Sequence, residues 1–339
     1  MSRALEPGEL ARRIEALPVA IDALAVERAS VTVPAYYEGA PRPTGLAVLR
    51  GGGAEGRGEC VAWTPREQAA FASACKRVAL PPSATVGELS LLLEDELDDP
   101  YHRVAVEGAA IDLALRQSGT NLFALAGRPA APVGFCWSIG REPDPLAAIA
   151  PILSRIPDAR FKVDVPPEGW APTTWRALAE TGRVVVLDFK RESDSDQLRL
   201  AHGWIPDAWL EDPPAEAMTL DRDGAWRERV SLDGYVLAAV DLDEPEVPPV
   251  AVNVKAPRVG GWLEALRCLE ECRRRGLEAY IGGMFEVDVG RSQARVLASL
   301  YTAEAWNDLA PLALGADASV PSSPLPMRDD YIGFAPDRR

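Results

Sequence analysis

Histidine is almost missing from this chain of 339 residues: His102 and His202 are the only two, and neither stands at metal-type or triad-type spacing. Catalysis of the Ser-His-Asp or Cys-His kind would have to be built from those two and is set aside. Cysteine is sparse too. Cys60, Cys75, Cys136, Cys268 and Cys272 are scattered and odd in number, which suits reduced thiols better than a disulfide framework. Cys268 and Cys272 fall four apart in a helical pattern, but two ligands make no zinc site. No run of 18 apolar residues occurs, so no membrane-spanning helix is expected. The first ten residues include acidic side chains and no apolar stretch, so no secretory leader is read and a cytoplasmic location is expected. Positive charge is also in deficit. The 36 Lys and Arg against 51 Asp and Glu leave a formal net charge of −15, which argues against nucleic acid or an anionic membrane as partner.

What is present is an ordinary globular balance, 47% hydrophobic and 26% charged, in a chain long enough for one large domain and a smaller one. Residues 1–130 look mixed. An alternating stretch within Leu17–Val33 predicts a half-exposed strand, Thr44–Leu49 a second, and Gly58–Trp63 a third. Gly51, Gly52, Gly53 and Gly56 between them read as a hairpin turn. They lack the Lys-Ser/Thr and the following helix of a phosphate loop. Helical patterns follow from Thr64-Pro65, from Thr85, and over Tyr101–Leu125.

From about Ala131 the pattern becomes strand, loop, helix, repeated. Strands are expected at 131–138, 160–165, 184–190, 208–213, 229–234, 251–255, 278–286 and near 305–309, with Val236–Asp241 competing for the fifth. Eight such units in series imply a closed (β/α)8 barrel. In that fold, polar residues at strand C-termini converge on one face. Read in order, the strand ends carry Lys162, Asp188, Glu211, Asp233 and Lys255, at intervals of 26, 23, 22 and 22 residues, about one β/α unit each. This spacing favours Asp233 over Asp241 or Asp243, which leave too little chain before Lys255.

Any one of these residues taken alone fits a solvated strand end, and Lys255 fits a snorkelling lysine. The ordered set of five is what points to chemistry. Three carboxylates facing one cavity repel each other and raise each other's pKa. A hard divalent cation with oxygen ligands resolves this, and Mg2+ suits a partly hydrated site of few carboxylates. A lysine near a dication is pushed toward the neutral amine and becomes a competent base. Metal plus lysine suggests removal of a proton α to a carboxylate, with the metal stabilising the enediolate.

The stretches Lys255-Ala-Pro-Arg-Val-Gly-Gly261, Leu210-Glu211-Asp212-Pro213, Leu187-Asp188 and Gly282-Gly283-Met284-Phe285-Glu286 resemble the enolase superfamily. The likeness is to its muconate lactonizing enzyme-like branch, with the o-succinylbenzoate synthases and dipeptide epimerases. The resemblance covers nearly the whole chain and is more specific for the superfamily than for any one reaction. It implies a modified (β/α)8 TIM barrel over residues 131–315 under an α+β capping domain, residues 1–130 completed by about 316–339. It further implies Mg2+ on Asp188, Glu211 and Asp233, with Lys162 and Lys255 as acid/base groups. Arg160, Asp164, Lys190, Asn253 and Glu286 would contact substrate or support the ligands. Loops near Val31–Glu38 and around Gly51–Gly58 would shape specificity. The partner implied is a small carboxylate substrate, and the assembly a homo-oligomer.

Three departures stand out. The family's Lys-x-Lys on strand two aligns as Arg160-Phe161-Lys162, keeping the catalytic lysine, or as Lys162-Val163-Asp164, losing it to a carboxylate. The Ala-Asn that usually follows the first ligand is Phe189-Lys190, and Lys190 would face the site two residues beyond Asp188, adding a cation that weakens metal binding. Strand five ends Asp233-Gly234 in place of Asp-Glu-Ser. The expected function is therefore Mg2+-dependent α-proton abstraction, as a racemase or epimerase of dipeptides or N-acylated amino acids. A lyase or cycloisomerase using one lysine stays open, as does a non-catalytic binding protein on the same fold. A barrel enzyme with Lys255 as a Schiff base leaves the carboxylate series unexplained.

Overall fold

A computed structural model describes residues 3–32, 41–220, 224–245, 247–310 and 323–336. Of the expected specificity loop at 31–38, residues 33–38 lie outside the described ones, and the side chains of Val31 and Thr32 likewise. The N-terminal part holds an antiparallel sheet of Ala23–Thr32, Pro41–Gly51 and Ala54–Cys60. The short strand Pro18–Ala20 pairs separately with Ser83–Thr85. The hairpin turn is tighter than the glycine run suggests. Gly51 pairs with Ala54, so Gly52 and Gly53 alone turn the chain, both at positive φ. Gly56 lies within the strand. It and Gly58 serve close approach: a Cβ on Gly56 would stand 2.7 Å from Leu113 Cα, and one on Gly58 2.7 Å from Ala109 N. Both atoms belong to the helix Pro100–Gln117, which lies flat on the sheet and is buried along most of its length.

Seven parallel strands follow in chain order: Trp137–Ile139, Phe161–Asp164, Val184–Asp188, Trp209–Glu211, Val230–Leu232, Ala251–Val254 and Glu278–Ile281. They are short, apolar and buried on both faces, as parallel strands covered by helices must be. The fifth falls at 230–232, and Val236–Asp241 instead enters a turn and a 3-10 helix. The eighth position departs from expectation. Around Asn307 and Asp308 there are only single bridges, to Phe135 on one side and Gly282 on the other. These two residues nevertheless join the first and seventh strands. Part of the ladder is replaced by a side chain: Asn307 Nδ2 donates to the carbonyls of Gly134 (2.9 Å) and Thr302 (2.8 Å), and its Oδ1 accepts from Ile281 N (2.8 Å).

Two buried glutamates of the N-terminal part clasp barrel helices. Glu59 accepts from the backbone N–H of Val287, Asp288 and Gly290 at 2.7–3.0 Å, at the start of the helix Val289–Tyr301. Glu107 accepts from Trp262 and Leu263 at the start of Trp262–Arg275. Both place a carboxylate where a helix leaves its first N–H groups unpaired. The segment 323–336 runs from Val133, which bridges Leu325, to Asn121, which bridges Gly333, and packs Phe334 edge-on against Trp262 at 5.0 Å. Among the described residues no helix is long and apolar enough to cross a membrane.

Candidate active site

At the C-terminal ends of the strands lies a cavity of about 320 Å3. Its wall includes Lys162, Asp164, Lys190, Asp233, Lys255 and Asp308. Beneath it, ligand atoms of Asp188, Glu211 and Asp233 all fall within 4.8 Å of one another, on the third, fourth and fifth strands. The non-glycine residues at positive φ among those described are Lys190, Arg191, Asp212 and Phe285, all just past strand ends around this mouth. Backbone held there against steric preference is a feature of sites built for function.

The cluster is dense with charge. Lys162 rises from the second strand and is fully buried, its Nζ 3.0 Å from Asp188 Oδ2, in contact with Glu211 Oε1, and 3.6 Å from Asp308 Oδ2. Burial works against its charge, but Asp188, Glu211 and Asp308 outweigh that and hold the ammonium well above the usual lysine range. Asp188 is held well below the usual carboxylate range, since Lys162 and Lys190 overcome its burial. Burial pushes Glu211 up to about 8; Lys162 pulls it down, and the charges on Asp188 and Asp233 add to the rise. Its Oε2 accepts from Tyr280 Oη at 2.5 Å and from Asn253 Nδ2 at 3.1 Å.

Lys255 ends the sixth strand. Its Nζ donates to Asp233 Oδ2 at 2.8 Å, and Arg258 reaches the same oxygen at 3.4 Å. Asp212, buried and at positive φ, accepts from the backbone N–H of Asp233 and of Gly234, each at 2.7 Å, and so fixes the turn that aims Asp233 inward. Gly234 suits that turn because a Cβ would stand 2.8 Å from Asp212 Oδ2.

The donor set fits a hard divalent cation. Asp233 Oδ1 is buried and has no hydrogen-bond partner among the described residues. Such an oxygen is costly unless a cation takes it up. Asp188 and Glu211 stand beside it with their oxygens engaged by Lys162, Lys190, Tyr280 and Asn253, and all three residues offer oxygen.

The structure brings Lys162, Asp164, Asp188, Lys190, Glu211, Asp233 and Lys255 to one mouth, with Asn253 beneath Glu211. Asp164 pairs with Asp188 at the strand edge and Lys162 with Val186 two pairs deeper, so both registers considered for strand two face the cavity. Glu286 is set back. It accepts from Met284 N at 2.8 Å and lies 3.5 Å from Arg291, bracing the loop that forms one wall. Arg160 is away from the cluster. It precedes the second strand, so it sits at the barrel's other end, with its guanidinium 5.4 Å over the Trp306 ring. Lys190 faces the site for a different reason from the one its sequence spacing suggests. The strand stops at Asp188, and two consecutive left-handed residues fold the lysine back over that carboxylate.

Sequence reading did not single out Asp308, Tyr280 or Arg258. Tyr280 shares its strand face with Gly282 by the period of two. Arg258 stands inside the Lys255-Ala-Pro-Arg motif. Asp308 gave little signal, because its position is a bridge and not a strand.

Among curated proteins, the N-succinylamino acid racemase of an Amycolatopsis species is 39% identical over 72 residues, 21% of this chain and 17% of the racemase. The o-succinylbenzoate synthase of Geobacillus kaustophilus is 26% identical over 220 residues, 58% of this chain and 56% of the synthase. The chain thus spans at most a little over half of either relative. Among solved structures, the dipeptide epimerase of Methylococcus capsulatus, crystallised with Mg and the dipeptide L-Arg-D-Lys, superposes with a TM-score of 0.72. It is 22% identical, over 86% of this chain and 90% of that one. The fold is that of the mandelate racemase/muconate lactonizing branch of the enolase superfamily. On that fold the chain belongs to the family described as Domain of unknown function (DUF8230), whose N-terminal model matches residues 12–125 and whose C-terminal model matches residues 129–315.

Proposed function

We propose that this protein removes the α-proton of a small carboxylate substrate at a Mg2+ site formed by Asp188, Glu211 and Asp233. The observation that carries the reading is the three-carboxylate cluster with a buried oxygen, Asp233 Oδ1, that has no hydrogen-bond partner among the described residues, flanked across the barrel by Lys255 at the end of the sixth strand and by Lys162 and Lys190 from the second and third. When bound, Mg2+ would draw in the substrate carboxylate and offset the charge that grows on it as the proton leaves.

The chain's own groups supply the rest. Lys255 Nζ stands over Asp233 at the cavity wall, where it can take or return a proton on one side of the substrate. Arg258 shares the Asp233 carboxylate with it and so helps to fix that carboxylate beneath the lysine. Lys162 and Lys190 present ammonium groups from the opposite side. A proton removed by Lys255 and returned from that side gives racemisation or epimerisation. The racemase and epimerase relatives support a dipeptide or N-acylated amino acid as substrate.

A second reading has its own observation. Lys162 is gripped by three carboxylates and fully buried, whereas Lys255 lies close to one, Asp233, and lines the cavity, which favours Lys255 as a single base. One base suffices for a lyase, and synthase relatives support that outcome. The test is proton NMR in D2O with Mg2+ over a panel of dipeptides, N-succinyl amino acids and β-hydroxy carboxylates. Loss of the α-proton signal with inversion identifies the epimerase, and appearance of an alkene product the lyase. No exchange with any member overturns both.

A further inference from the structure

Lys190 is the cation closest to the metal cluster that is not sealed inside it. Its side chain is 40% exposed, whereas Lys162 beside it is 2% exposed. It reaches the cluster through strained backbone: Lys190 and Arg191 have φ of 49° and 64°, where side-chain-bearing residues cost energy. Two hydrogen bonds hold the turn, from Lys190 N to Asp188 Oδ1 (3.1 Å) and from Arg191 N to Asp212 O (2.8 Å). The turn lays Lys190 Nζ 2.5 Å from Asp188 Oδ2, with Asp164 Oδ1 3.2 Å away on the other side.

That ammonium occupies what a divalent ion would need. Mg2+ sits about 2.1 Å from its oxygens. Asp188 Oδ2 already holds two ammonium groups and Oδ1 holds a backbone N–H. An ion on Asp188 would stand within a few ångströms of Lys190 Nζ, and like charges at that range repel strongly where water is scarce. Lys162 is sealed among Asp188, Glu211 and Asp308, whereas Lys190 reaches solvent. Asp164 lines the cavity, and its Oδ1 already stands 3.2 Å from Lys190 Nζ, so the ammonium can give up Asp188 and keep this second carboxylate.

We infer that Lys190 is a built-in occupant of the metal site: a divalent cation binds by exchange with its ammonium, which leaves Asp188 and is kept at the cavity mouth by Asp164. This rests on the metal reading above and assigns the Lys190–Asp164 pair a role that reading does not contain. Two consequences of opposite sign follow. Neutralising Lys190 removes the competitor and tightens Mg2+ binding. Neutralising Asp164 removes the landing place and weakens it, but only while Lys190 is present.

The experiment is calorimetric titration with MgCl2 of the wild type, Lys190→Met, Lys190→Gln, Asp164→Asn and the Lys190→Met/Asp164→Asn double variant, each first shown to fold by circular dichroism. The exchange predicts at least ten-fold tighter binding in both Lys190 variants. It predicts several-fold weaker binding in Asp164→Asn, and less than two-fold between Lys190→Met and the double variant. Binding equal to wild type in both Lys190 variants overturns the exchange and leaves the metal site standing. An Asp164→Asn effect that persists in the double variant also overturns it, since the carboxylate then acts on the ion directly. Absence of Mg2+ binding in every variant overturns the exchange together with the metal reading.

Discussion

Gly282 tests how Lys255 is aimed, and the structure sets the size of the effect. The residue follows the seventh strand, with its N–H donating to Val254 O (3.0 Å) and a bridge to Asp308. A Cβ added there would overlap Asn253 Oδ1 and Lys255 Cε, and would stand 2.9 Å from Lys255 Cγ. Carbon atoms settle at about 3.5–4.0 Å. The lysine stem must therefore retreat by roughly 0.6 Å at Cγ and about 1 Å or more at Cε. The site is close-packed, so the Gly282→Ala variant should lose about 1–3 kcal/mol of stability in a denaturant titration. A base displaced by about 1 Å should lose on the order of 100-fold in α-proton exchange, seen mainly in kcat because the substrate's carboxylate is held elsewhere. A Gly282→Ala enzyme with wild-type exchange rate, stable or not, would refute the claim that Lys255 acts from this position.

Two further predictions concern the scaffold. Burial pushes Glu59 up to about 7, with Glu286 adding and the N–H groups of Val287 and Asp288 opposing. A folded-state pKa above the unfolded value of about 4.3 means that its contribution is fully present below about pH 4.3 and is lost as pH rises through about 7. Relative to Glu59→Gln, the wild type should lose on the order of 3 kcal/mol between pH 4 and 8 by urea unfolding, and a difference independent of pH would contradict the assignment. The Asn307→Ala substitution should cost roughly 2–3 kcal/mol, because the N–H of Ile281 loses its buried partner at the barrel seam and the carbonyl of Gly134 keeps only the longer bond from Asn307 N. A cost under about 1 kcal/mol would show that the bridges alone close the barrel.

The barrel was legible because parallel strands buried on both faces are short apolar runs, and because five of them carry a charged residue at or near the C-terminal end. Asp188, Glu211, Asp233 and Lys255 recur at one-unit intervals, and that regularity survives in the folded chain. What was hidden is what period and spacing do not encode. Asn307 and Asp308 close the seam through side-chain hydrogen bonds, so no strand pattern announces them. Gly56 read as a turn residue and Gly58 as the start of a strand, and only the helix lying across them shows that both make room for backbone. Lys190 was placed near the cluster by assuming that the strand continues. It arrives there through a left-handed turn, whose geometry depends on the hydrogen bond to Asp212 O from another unit. Arg160 failed for the converse reason: the strand begins one residue after it, and the side chain belongs to the opposite end of the barrel.

The most direct test of the account is α-proton exchange in D2O, followed by NMR with Mg2+ present, on the wild type, Lys255→Gln and Glu211→Gln. The account predicts exchange by the wild type on at least one dipeptide, N-acylated amino acid or β-hydroxy carboxylate, its loss on chelation of the metal, and none from either variant. Exchange by Lys255→Gln at the wild-type rate, or a wild type inert toward all three classes, would contradict it.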